Sequence, residues 1–131
     1  MKYLLDTNAV IGMMKKQHGL QQRILDAGLD QCTISEITLA ELYVGVYKGN
    51  DKRQIAEVEA VKRLFKILPI TNSLELYASI RAKLEKEGNR LDDFDLLIGT
   101  TAVYHNMSLI THNTKHFDRI PSIQLEDWES E

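Results

Sequence analysis

Short apolar runs alternate with longer stretches of helical periodicity along the whole chain. Tyr3, Leu4 and Leu5 form a run of strand length, which Asp6, Thr7 and Asn8 interrupt. A helical pattern starts at Val10, continues through Ile11, Met13 and Met14, and ends at Lys15 and Lys16. Leu20, Ile24 and Leu25 recur at helical spacing between Gly19 and Gly28. Cys32 and Ile34 mark a second strand, and Ser35 can cap a third helix reaching about Lys48, before Gly49 and Asn50. A charged helix is expected over about 51–66, with Ile55, Val58, Val61 and Phe65 as its apolar stripe. Residues 67–70 read as an edge segment, because Pro69 cannot donate to a ladder. The next helix runs from about Ser73 to Lys86 with Leu76, Ile80 and Leu84 inward, and Gly88 ends it. Asp92 or Asp93 opens another, lasting to about Asn106. Leu109 and Ile110 form a strand, Thr111 to Phe117 a loop with a helical turn, and Ile123 and Leu125 alternate in a last segment that Pro121 opens. Strands separated by helices imply a parallel sheet covered on both faces, an α/β fold.

Four polar interruptions carry the candidate chemistry. Asp6 stands at the C-terminal end of the first strand, the edge at which open parallel sheets bind ligands. Asp also caps helices, and that reading stays open for Asp6. From Ile37 to Tyr47 nearly every residue is apolar, so this third helix is expected to be buried almost all round. Its polar stripe is Thr38, Glu41 and Gly45, spaced to share one face. The later helix repeats the device with Asp95 and Gly99, on a face with Ala102 and Asn106. A helical glycine costs about 0.8–1 kcal/mol relative to alanine. Each of these glycines, four residues after a carboxylate, is therefore expected to admit another backbone or a substrate. Thr111, His112 and Asn113 follow the strand Leu109–Ile110, at the same edge as Asp6.

Asp6, Glu41, Asp95 and Asn113 are thus expected to converge at one end of one sheet. Carboxylates about 4 Å apart repel by about 4 kcal/mol at an effective dielectric near 20. A divalent cation resolves that repulsion, and an oxygen-only donor set selects Mg²⁺ or Mn²⁺ over zinc. Such an ion activates water and stabilises in-line displacement at phosphorus. His112 and His116 have the spacing of a zinc pair, but no third His or Cys lies near them in sequence. Asp92 and Asp93 read as helix caps. The phosphate loop, the dinucleotide glycine motif and the nucleophile elbow are all absent from the sequence.

Composition narrows the class. At 131 residues, 44% hydrophobic and 27% charged, the chain has the size and make-up of one globular domain spanning 1–131. A single cysteine, Cys32, excludes an internal disulfide and favours a reducing compartment, taken here as the cytoplasm. No apolar run has the length of a signal peptide core or a membrane span, so no membrane partner is expected. The net charge of −3 argues against non-specific coating of nucleic acid, but not against a basic rim around an acidic centre. Lys15, Lys16, Lys48, Arg90, Lys115 and Arg119, near predicted loops or helix ends, are the candidates for contact with phosphate.

The segments LLDTN at 4–8, TLAELYVG at 38–45, FDLLIG at 94–99, LITHN at 109–113 and LEDW at 125–128 occur in that order over essentially the whole chain. In this the chain resembles the PIN-domain ribonucleases, and among them the VapC toxins of toxin–antitoxin pairs. The resemblance implies the three-layer PIN-like fold and an Mg²⁺-dependent endoribonuclease held inactive by a cognate VapB-type antitoxin. It implies a homodimer, and contact with DNA only through the antitoxin. The family's acidic positions fall on Asp6, Glu41 and Asp95, with Thr7, Asn8 and Thr111 in support. Its fourth position, often aspartate, is Asn113 here. Members with similar motifs cut the anticodon stem-loop of initiator tRNA, which makes tRNA the implied substrate. Tyr43 and Tyr47, with Ile55, Val58 and Phe65, are the expected dimer or antitoxin surface. The competing class is a non-catalytic binding module on a PIN-like or receiver-like sheet, which loss of an acid would favour. A phosphatase with an aspartyl nucleophile needs a second aspartate where Asn8 stands.

Overall fold

The computed structural model describes residues 1–49 and 52–129. Five short strands form one all-parallel sheet: β1 (Tyr3–Leu5), β2 (Cys32–Ser35), β3 (Lys66–Leu68), β4 (Ser108–Ile110) and β5 (Gln124–Glu126). Their order is β3-β2-β1-β4-β5, and Leu4 pairs with Thr33 on one side and Leu109 on the other. The chain winds outward from β1 to β3, then returns to the other side of β1 for β4 and β5. The order therefore reverses between β1 and β4, and the carboxyl ends of these strands border the crevice where such sheets bind ligands.

Each crossover places its helices on one face. α1 (Thr7–Met14), α2 (Leu20–Ala27), α3 (Glu36–Gly49) and α4 (Lys52–Leu64) cover the face presenting Leu5, Cys32, Ile34 and Ile110. α5 (Leu74–Lys86), α6 (Asp93–Tyr104) and the single turn α7 (Thr114–Phe117) cover the face presenting Leu4, Leu68 and Leu109. Adjacent strand residues point to opposite faces, so Leu4 and Leu5 belong to different cores. Both are fully buried, as a sheet covered on both faces requires.

Several boundaries differ from the pattern-based expectation. α1 starts at Thr7 rather than Val10, because Asp6 caps it and accepts from the Ala9 amide at 2.7 Å. The charged helix ends at Leu64, and Lys66 already pairs with Thr33, so the edge strand starts before Ile67 and closes before Pro69. Asn50, and Asp51 where that helix was expected to begin, lie outside the described residues.

The third helix is not buried all round. Thr38, Leu42 and Val46 face the core, whereas Val44 and Tyr47 are exposed. α4 and the sheet cover only part of its circumference, and the rest of its apolar surface is left open. Val58 and Phe65, expected at an interface, are instead buried in the core beneath α4. Only Ile55 of that set stays exposed on α4.

The two helical glycines have different environments. A Cβ on Gly99 would meet the Ile120 side chain, with Phe117 and Ile123 close behind. Gly99 is thus a packing glycine that lets the segment after α7 settle onto α6, and neither a backbone nor a substrate approaches it. A Cβ on Gly45 would meet nothing. Gly45→Ala should therefore stabilise the chain by up to about 1 kcal/mol through helix propensity. Gly99→Ala should destabilise it by about 1–3 kcal/mol through overpacking against buried Ile120. Paired denaturant melts of the two variants check the contrast, and equal signs would contradict it.

Candidate active site

The site is built where β1 and β4 end. The Asp6 amide donates to the Ile110 carbonyl at 3.0 Å, stitching the two strand ends together. Asp6 is buried, 5% exposed, and its carboxylate accepts from the Ala9 amide and the Thr111 hydroxyl. Thr111 is locked in turn, because its hydroxyl accepts from the Asn113 amide at 3.0 Å. Burial pushes the Asp6 carboxyl up to about 6 from the usual 3.8, and the charges of Asp95 and Glu129 add to the rise. The two hydrogen bonds oppose the rise without cancelling it. Capping and charge crowding, alternatives in the sequence, are both present in this one residue.

Glu41 comes from the polar face of α3. The Thr7 hydroxyl is 2.6 Å from its carboxylate and 3.1 Å from the Thr38 hydroxyl, so α1 and α3 meet through polar groups next to Asp6. Asp95 lies in the first turn of α6, which Asp92 caps by accepting from the Phe94 and Asp95 amides. One Asp95 oxygen is 2.9 Å from Nε2 of His116 on α7. Asp93 is turned away and accepts from the Tyr77 hydroxyl at 3.0 Å, which ties α6 to α5.

The convergence is partial. Asp6, Asn8 and Asn113 line a cavity of about 410 Å³, together with Gln17, His18, His112 and Glu129. Glu41 lines a smaller neighbouring cavity with Gly45, Lys15 and Ile11. Ile11 borders both. The oxygens of Asp6, Glu41 and Asp95 do not form a cluster closed within 4.8 Å; among the described residues that closeness belongs to His112, Asp127 and Glu129. An open arrangement suits a hard cation that keeps several waters and takes only one or two carboxylates directly. Asp6, Glu41, Asp95 and Asn113 offer oxygen ligands, and the buried Asp6 carboxylate, with the charges of Asp95 and Glu129 acting on it, is the electrostatic condition that a divalent cation relieves. The residues therefore fit Mg²⁺ or Mn²⁺.

The candidate cations are distributed unevenly. Lys15 and Lys16 are exposed at the end of α1, Lys48 at the end of α3 and Lys115 on α7. Arg90 is exposed, 4.0 Å from Glu85. Arg119 is committed to the fold, donating through Nε to the His116 carbonyl and through Nη1 to the Arg90 carbonyl, both at 2.9 Å. The sequence reading missed Gln17 and His18 in the cavity lining, and it missed the roles of His116 and Glu129. His116 was weighed only as a partner of His112, yet its ring holds Asp95. Glu129 reaches the site from beyond β5, and no local pattern marks it.

A model of the PIN domain matches residues 3–123 of the chain. The chain is 33% identical to ribonuclease VapC2 of Rickettsia felis over 98% of its length and 99% of the relative's. It is 30% identical to the tRNA(fMet)-specific endonuclease VapC of Salmonella typhimurium, over 98% of both chains. The crystal structure of VapBC2 from Rickettsia felis, bound to a DNA fragment from their promoter, superposes with a TM-score of 0.87 at 31% identity, covering 98% of this chain and 100% of that one.

The pH dependence of stability tests the electrostatics of Asp6. Its folded pKa of about 6 lies above the unfolded value, so the folded state binds more protons between about pH 4 and pH 6. Asp6 then costs stability progressively as pH rises through that window. Asp6→Asn keeps a capping oxygen and removes the charge. In chelator the variant should be more stable than the parent by about 2–3 kcal/mol at pH 7.5, and the gap should close by about pH 4. Denaturant titrations across that range check this, and a gap independent of pH would contradict it.

Proposed function

The chain belongs to the PIN-domain family, in its VapC branch, and on that premise we propose that it is a metal-dependent endoribonuclease, the toxin of a toxin–antitoxin pair. The observation that carries the catalytic reading is the carboxylate of Asp6. It is buried at the point where the strand order reverses, and the charge of Asp95 acts on it. A helix cap alone needs neither that burial nor a second acid.

In this reading Asp6 and Asp95 hold an Mg²⁺ or Mn²⁺ ion, with Glu41 and Asn113 bordering the same edge. When bound, the ion supplies a Lewis acid for a phosphate oxygen and lowers the pKa of the attacking water. The chain does the positioning. Thr7 donates to Glu41 and keeps it turned toward the β1 edge. His116 fixes the rotamer of Asp95, and Thr111 restrains Asp6. Lys15, Lys16, Lys48 and Lys115 take the RNA phosphates; Arg119 serves the loop geometry instead.

We assign tRNA as the substrate class, since a relative similar over nearly its full length is named a tRNA(fMet)-specific endonuclease. A VapB-type antitoxin is the proposed partner, because similar structures are VapBC assemblies. The apolar groove of about 260 Å³ between α1, α2 and α4 is a fitting seat for it, with Met14, Leu25 and Leu64 on its walls. The open apolar side of α3, with Val44 and Tyr47, fits a second copy of the chain.

Glu41→Gln and Asp95→Asn should each lower RNA cleavage at least about a hundredfold while leaving the fold intact. Cleavage by the parent should require Mg²⁺ or Mn²⁺ and stop in excess EDTA. Gel assays on tRNA with circular dichroism on the same preparations check both. Full cleavage in EDTA would remove the metal, and RNA binding without any cleavage would favour the non-catalytic binding module.

A further inference from the structure

The carboxyl edge of β4 and β5 carries a second group of donors, which shares Glu129 with the surroundings of Asp6 and adds an imidazole. His112 stands just after β4, and Asp127 just after β5. Its Nδ1 is 3.0 Å from an oxygen of Asp127 and 3.7 Å from an oxygen of Glu129. The three donor atoms lie within 4.8 Å of one another. The other oxygen of Glu129 is 3.5 Å from Nε2 of His18, which comes from the turn between α1 and α2.

The 3.0 Å contact is a hydrogen bond between His112 and Asp127, and an ion taking the place of its proton would find both contacts near ligand spacing. Ligands about 2.0–2.1 Å from a zinc ion stand about 3.3 Å from each other at tetrahedral angles. The two contacts from His112 bracket that value. The set is also partly preorganised: Asp127 accepts from the Glu129 amide through one oxygen, at 3.0 Å, and turns the other to the His112 imidazole. Trp128, buried between the two acids in sequence, anchors the segment by donating from its indole to Glu126 at 3.1 Å and stacking edge-on against Tyr3. One imidazole with two carboxylates selects a zinc-class divalent ion, where the oxygens of Asp6, Glu41, Asp95 and Asn113 select magnesium.

We propose that His112, Asp127 and Glu129 form a binding site for a zinc-class divalent ion at the edge of the cavity that His112 and Glu129 line together with Asp6. His18 orients Glu129 rather than ligating. The fourth position faces the cavity, so the ion keeps a water or an anionic oxygen there, as three-ligand zinc sites do. The ion joins the segment after β5 to the end of β4 and closes the side of the crevice farthest from α3. The zinc spacing of His112 and His116 was misleading in sequence, because His116 turns to Asp95 while His112 finds its partners from β5. This site does not rest on the ribonuclease reading, since none of its three ligands belongs to the Asp6, Glu41 and Asp95 set.

The test is calorimetric titration of the untagged full-length chain with Zn²⁺ in excess Mg²⁺, repeated with Co²⁺ and its visible absorption. The parent should bind one Zn²⁺, and Co²⁺ should give the intense bands of a four-coordinate ion. His112→Gln and Asp127→Asn should each weaken Zn²⁺ binding by more than about tenfold, beyond what loss of an outer hydrogen-bond partner costs at its smallest. Asp6→Asn removes a charge that acts on Glu129 but no ligand, so it should change Zn²⁺ binding by less than either ligand variant does. His112 is two-thirds exposed, so its substitution should leave the melt in EDTA within about 1 °C of the parent. Zn²⁺ binding that survives both ligand variants, or that Asp6→Asn abolishes, would overturn the proposal. Failure of RNA cleavage would not.

Discussion

Negative charge that the fold buries beside itself is the constraint around which this end of the molecule is arranged. Asp6 loses water on the carboxyl edge of β1 and feels Asp95 and Glu129 across the crevice. An isolated buried carboxylate would be expensive, and the chain offsets part of the cost with the Ala9 amide and the Thr111 hydroxyl. The remainder is left standing, and in the proposed function a bound cation would relieve it. The other acids are restrained from elsewhere: Glu41 through Thr7, Asp95 through His116. Each restraint comes from a different element, so the site is a property of the assembled sheet rather than of any one segment.

The topology explains why these elements meet. With β1 central and the order reversing beside it, the loops after β1 and β4 and the N-termini of α1 and α6 open on one crevice. The same winding leaves surfaces unpaid on the outside. α3 shows Val44 and Tyr47 to solvent, and the groove beside α4 is walled by aliphatic side chains. Apolar surface of this kind on a small domain marks contact with other chains. In the proposed function it serves a second copy and an antitoxin.

Much of this was legible in the sequence where signals were local. The strand ends at Asp6 and Asn113, the cap at Asp92 and the polar stripe of Thr38 and Glu41 on an apolar helix all follow from period and residue chemistry. Burial of α3 was misjudged because an apolar helix looks the same whether its cover comes from the same chain or another. Gly99 was correctly singled out, but its neighbour, Ile120, is set by packing that spacing cannot express. Glu129 and His116 reach the site through tertiary proximity, and the sequence offers no distance between them and the acids they serve.

Asp6 is either a metal ligand under repulsion or a cap that happens to be acidic. Thermal melts of the parent and of Asp6→Asn, each in EDTA and in Mg²⁺, beside tRNA cleavage on the same preparations, decide between them. Ligand binding to the folded state stabilises it by about 2.7 kcal/mol at a hundredfold excess over the dissociation constant. The parent should show that gain in Mg²⁺ and cut RNA. Asp6→Asn should lose the gain, stay at least as stable as the parent in EDTA at neutral pH, and fail to cut. A variant that still cuts RNA at nearly the parent rate would return Asp6 to the role of a helix cap and contradict the account.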